Sequence, residues 1–128
     1  MISLLCYDPS KSGTGGIHAW YALQDGAVRA AIDATLELLA LEKDWNHLPH
    51  VVALRGECEG LTEIKIDMED GRLIRLLGFE RPGKKEFILL YSFEKHGGHD
   101  YTPHCHSAHW RKKGVIRDFR RAKPCQFP

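Results

Sequence analysis

The sequence predicts one α+β domain in which an antiparallel sheet of three to five strands packs against an N-terminal helix, with a further helix after the sheet. Three observations carry that expectation. Residues 54–93 hold three extended apolar runs separated by turn signals. Residues 25–43 switch to a helical period. Thr102-Pro103 then opens a second helical pattern. A chain of 128 residues with 43% apolar and 27% charged side chains suffices for one core and is short for two.

In chain order, residues 2–7 form a short apolar run suited to an edge or second strand. Residues 8–16 (DPSKSGTGG) read as a loop by their Pro, Ser and Gly content, and they match neither GxGxxG nor a Walker pattern. Residues 17–23 suit one or two helical turns. In the long helix, Val28, Ile32, Leu36 and Leu39 recur at spacings of four and three, with Arg29, Asp33 and Glu37 on another face. Asp25 is its expected N-cap, and residues 46–49 end it.

Asp70-Gly71 closes the first hairpin of the sheet and Arg81-Pro82-Gly83 the second. Alternation puts Glu63, Lys65 and Asp67 on one face of their strand, and Arg75 with Leu73, Leu77 and Phe79 on one face of the next. In the third it sets Phe87, Leu89, Tyr91 and Phe93 against Ile88, Leu90 and Ser92. After the His- and Gly-rich loop EKHGGHDY, Thr102 is the expected hydroxyl N-cap of a helix reaching about residue 122, with Gly114 as a point of weakness.

Residues 110–123 carry seven Lys or Arg against one Asp, a balance of +6. The preceding 109 residues carry 11 basic and 16 acidic side chains, a balance of −5. This separation points to a polyanionic partner near the C-terminal end. No apolar run approaches the roughly 20 residues of a membrane span. Without a basic segment ahead of the first apolar patch, a cytoplasmic protein is expected. The four cysteines, Cys6, Cys58, Cys105 and Cys125, form no CxxC pair and are expected as free thiols.

The text LRGECEGLTEIKI, the internal Arg75, FILLYSFEK and the later Thr102-Pro103 followed by Ala108 occur in that order. Together they resemble the RelE/ParE toxin superfamily, in particular its HigB-like, phage-derived branch. The resemblance covers about residues 50–112. It departs after Lys95, where HGGH stands in place of the family's usual second lysine.

The resemblance implies the toxin of a type II toxin–antitoxin pair, an mRNA endoribonuclease acting with the ribosome. A cognate antitoxin of helix-turn-helix type would neutralise it, and neither cofactor nor metal is implied. It further implies Lys65, Arg75 and Lys95 as catalytic residues, to which the chemistry of the imidazole adds His104. Lys65 and Arg75 would form a phosphate clamp, and His104, beside His96 and His99 in the same segment, would suit proton transfer near neutral pH. Arg55, Arg72, Tyr101, Arg111, Lys112 and Lys113 are the expected RNA contacts, with Tyr101 able to stack on a base.

Three alternatives stand beside this reading. They are a RelE-like binding module that has lost its chemistry, a gyrase-inhibiting ParE-like toxin, and a metal site drawn from His96, His99, His104, Cys105, His106 and His109.

Overall fold

The computed structural model describes residues 2–9, 15–98 and 100–126. The chain runs β1 (Ser3–Tyr7), α1 (Ile17–Ala22), α2 (Gly26–Leu41), β2 (Val51–Ala53), β3 (Thr62–Asp67), β4 (Leu73–Arg81), β5 (Glu86–Lys95), α3 (Thr102–Arg117) and β6 (Ala122–Pro124). Short 3₁₀ turns at Gly56–Cys58 and Phe119–Arg121 precede β3 and β6. The α+β class is as expected, but the sheet is larger and mixed. Six strands lie in the order β2-β3-β4-β5-β1-β6, and β1 runs parallel to β5.

The β3-β4-β5 meander is the part that alternation and turn chemistry predict, and all its pairings are antiparallel. The two edges were not anticipated. β2 is three residues long and lies antiparallel to β3. β6, equally short, lies along β1. Strands this short carry too few alternating positions to stand out in the sequence.

The faces of β5 also differ from simple alternation. The β4–β5 register shifts between Leu77 and Gly78, so Gly78 meets Leu89 while Leu77 meets Tyr91. This bulge reverses the phase of β5 partway along. Tyr91 and Phe93 therefore face α3, through His104, whereas Leu89 lines the opposite side with Ile17, Ile32 and Ser92. Gly78 sits where β5 approaches most closely. A Cβ there would collide with the Ile88 carbonyl and lie 2.6 Å from Phe87 Cε1.

α1 and α2 cover one face of the sheet. Asp25 caps α2 as expected, its Oδ1 accepting from Val28 N–H at 3.0 Å. Val28, Ile32, Leu36 and Leu39 are the buried residues of the helix, matching the predicted stripe. α3 covers the other face through Cys105, Ala108 and Val115. It runs unbroken past Gly114 and ends at Arg117, five residues short of the expected end. Its start is held not by Thr102 but by Asp100, whose Oδ1 accepts from Thr102 N–H at 2.9 Å and from Thr102 Oγ1 at 2.7 Å.

The cysteines correct the sequence reading outright. Cys6 is bonded to Cys125 and Cys58 to Cys105, with Cα–Cα distances of 5.1 and 5.2 Å. The partners are 119 and 47 residues apart, so no local spacing motif marks them. The first bridge fastens the C-terminal strand to β1. The second fastens the 3₁₀ turn at Gly56–Cys58 to α3.

Candidate functional site

Phe93 is the hub of the region where most of the expected catalytic residues meet. The sheet register sets Lys65 opposite Arg75 and Arg75 opposite Phe93; one step on, Asp67 opposes Leu73 and Leu73 opposes Lys95. Lys65, Arg75, Phe93 and Lys95 thus share the face toward α3. From α3 the His104 ring stacks on Phe93, centroids 3.9 Å apart and 5° from parallel. Tyr101 meets Phe93 edge-on at 5.2 Å, and Lys95 Nζ lies 5.8 Å from the Tyr101 ring. His104 Nδ1 is 3.4 Å from the Tyr91 hydroxyl. His99, also considered for proton transfer, lies outside the described residues.

Under this cluster lies a buried polar network. Glu63 and Arg75 are only 3% and 4% exposed. Arg75 Nη1 donates to Asp67 Oδ1 at 2.7 Å and to the Ile74 carbonyl at 3.0 Å. The Tyr101 hydroxyl donates to the Glu63 carboxylate and accepts from Arg75. Burial, then the bond to Glu63, pushes the Tyr101 phenol up to about 12. Glu63 Oε2 and Arg75 Nε have no hydrogen-bond partner among the described residues.

The phosphate clamp expected of Lys65 and Arg75 is therefore not assembled. The two stand side by side, yet Arg75 is buried and committed to Asp67, Tyr101 and a backbone carbonyl. Two cations directly opposite on neighbouring strands repel unless one is neutralised locally, and Asp67 supplies that neutralisation. Lys65 and Lys95 are half-buried, and among the described residues neither forms an ion pair.

The expected RNA contacts scatter. Arg72 is held by Asp70 at 2.8 Å and by Asp25 at 2.6 Å, which ties the β3–β4 turn to the α2 N-terminus. Its guanidinium holds both carboxyls below their usual range. Arg55 is exposed at the start of the 3₁₀ turn, away from Phe93. Arg111 turns inward, giving hydrogen bonds to the Leu90 and Gly15 carbonyls and lying over the Tyr7 and Tyr91 rings. Burial lowers its pKa. Lys112 donates to the Gly60 carbonyl at 2.9 Å and sits 4.8 Å over the Phe79 ring. Of the three consecutive cations, only Lys113 is exposed.

Cys105, as a disulfide partner, offers no thiolate to a metal, which removes it from the His/Cys reading. His106 and His109 turn to Glu57, at 2.9 Å from its carboxylate and 3.1 Å from its carbonyl. No group of three His, Cys, Asp or Glu able to hold a metal occurs among the described residues, and none of their helices is long and apolar enough to cross a membrane.

Sequence reasoning passed over Phe93, Tyr91 and Glu63 as functional residues. The first two read as members of an alternating strand face, and the third as a residue sharing a face with Lys65 and Asp67. Comparison with family models, with curated proteins and with solved structures finds no match to this chain.

Proposed function

We propose that the chain is the toxin of a toxin–antitoxin pair and cleaves single-stranded RNA, with Lys65, Lys95 and His104 as its reactive groups and Arg75 as a positioning residue. The observation that carries the reading is the convergence of two lysines and an imidazole around Phe93, over a floor held rigid by the Glu63–Tyr101–Arg75–Asp67 network. The order of motifs in the sequence supports it independently.

Transesterification needs three things, and the cluster has a group for each. His104 takes the proton from a ribose 2′-hydroxyl. The 2′ oxygen then bonds to the adjacent phosphorus while the bond from phosphorus to the 5′ oxygen breaks. Lys65 faces the charge that develops on the non-bridging oxygens, and Lys95 delivers a proton to the leaving 5′ oxygen. The products are a 2′,3′-cyclic phosphate and a 5′-hydroxyl. A neutralising partner has a place to dock in the groove of about 650 Å³ lined by Leu54, Phe79, Val115, Ile116 and Phe119.

One observation favours a second reading, a module that binds RNA without cutting it: the strongest cation of the cluster, Arg75, is spent on Asp67. A single experiment separates the two. Purified chain is incubated with end-labelled RNA, with and without ribosomes, and the new ends are mapped. Cyclic phosphate ends, lost in Lys95→Ala and His104→Ala variants that retain the wild-type melting temperature, support the nuclease. RNA retained but intact supports the binding module. Neither retention nor cleavage overturns both.

A further inference from the structure

We infer that the outer ridge of α3, Trp110 with Lys113 and Arg117, is a track for single-stranded RNA on which Trp110 stacks a nucleobase. The inference rests on the RNA reading above and extends it to residues outside the Phe93 cluster.

α3 buries Cys105, Ala108 and Val115, while His106, Trp110, Lys113 and Arg117 are exposed at spacings of four, three and four. They therefore form one ridge on the solvent side. Trp110 is 67% exposed, an unusual position for the largest of the apolar side chains. It borders a hollow of about 420 Å³ whose other walls are Tyr91, His106, Ser107 and Arg111. Tyr91 also touches the His104 ring, so the hollow adjoins the Phe93 cluster directly.

The charge on this ridge is one-sided. The sixteen residues of α3 contain no Asp or Glu, and among the described residues neither Lys113 nor Arg117 forms an ion pair. The bordering carboxylates are engaged, Glu57 with His106 at one end and Asp118 with Arg120 at the other. Aromatic faces interleaved with unpaired cations are what a base-bearing polyanion needs: the ring stacks a base and the cations follow the phosphates. An acidic protein could pair with the cations alone, whereas a ring set among them also answers to a base, which RNA supplies together with its phosphates. A duplex would present its phosphates but keep its bases out of reach of the ring.

The test uses the full chain and an octanucleotide with 2′-O-methyl riboses, which cannot be cleaved, alongside an abasic strand of equal length. Binding is followed by anisotropy. The expected result is that Trp110→Ala weakens the octanucleotide by roughly fivefold to a hundredfold, Trp110→Phe restores most of the loss, and neither change affects the abasic strand. Lys113→Gln with Arg117→Gln should lower the slope of log affinity against log salt by about 1.4 for both strands.

Wild-type affinity in Trp110→Ala, with RNA still bound and cut, overturns the ridge and leaves the nuclease standing. An equal loss for both strands also overturns it. So does release of a partner protein by Trp110→Ala with oligonucleotide affinity unchanged. If the wild type neither binds nor cuts any RNA, the function itself fails and the ridge falls with it.

Discussion

Replacing Tyr101 by Phe tests whether the network beneath Phe93 is the rigid floor that the site requires. The substitution keeps the ring and its edge contact with Phe93 but removes one hydroxyl. Glu63 is 3% exposed and its Oε2 lacks a partner among the described residues, so losing the phenol strips the carboxylate of a side-chain donor. Stranding a buried acceptor costs about 1–3 kcal/mol, and a charged one falls at the upper end, near 2–3 kcal/mol. A chain of 128 residues unfolds with an entropy near 0.27 kcal/mol/K, taking about 2.1 cal/mol/K per residue. The melting temperature should therefore fall by about 7–11 °C, read by circular dichroism or calorimetry.

The pH dependence supplies a second, independent readout. The unfolded phenol releases its proton near pH 10, the folded one at about 12. Because the folded pKa is the raised one, its contribution is complete below pH 10 and is lost as pH climbs through 12. The wild type should destabilise across that window, and Tyr101→Phe should lack that limb. A variant melting within 2 °C of wild type, with the alkaline limb intact, would refute the argument.

Other expectations follow from single features. Titration of the denatured, unreduced protein should find no reactive thiol, and reductant should lower the melting temperature; by loop length, opening the Cys58–Cys105 bridge costs up to about 4 kcal/mol and the Cys6–Cys125 bridge up to about 5 kcal/mol. Four thiols without reductant would refute both bridges. Gly78→Ala forces a methyl against the Ile88 carbonyl and Phe87 and should cost about 3 kcal/mol in a urea melt; wild-type stability would mean the bulge relaxes freely. Arg72→Ala should selectively weaken the protein above pH 4, because Asp25 and Asp70 have depressed folded pKa values whose stabilisation is present above the ordinary carboxylate range and lost as pH falls through the folded values. Acid unfolding curves of the variant and wild type that run parallel at every pH would count against it.

What the sequence made legible depended on the length of each pattern. α2 announces itself because four apolar residues at helical spacing and an Asp cap agree over sixteen positions. The meander is equally plain, since Asp70-Gly71 and Arg81-Pro82-Gly83 punctuate strands long enough to alternate. β2 and β6, three residues each, offer no period to detect. The disulfides were invisible for a different reason. Their partners meet only after β1, β6 and α3 are in place, and thiol pairing over 47 and 119 residues leaves no trace in local spacing. The bulge opposite Gly78 reversed half of β5, because strict alternation has no means of registering an extra residue, here Leu90, within the strand itself.

The site taught the opposite lesson about charge. A lysine and an arginine facing each other on adjacent strands looked like two hands of one clamp, and the register does set them opposite each other. A guanidinium carried under α3, however, meets a steep desolvation cost, which is met by bringing Asp67, the Tyr101 phenol and the Ile74 carbonyl to it. So held, Arg75 is committed to the scaffold, and its removal would leave Asp67 without its cation. Position in a strand therefore says where a charge sits, whereas burial decides whether it holds the scaffold or the ligand. The same criterion takes Arg111 and Lys112, which turn inward, out of the expected RNA contacts, keeps Lys113, and sets Arg117 and Trp110 beside it in the proposed track.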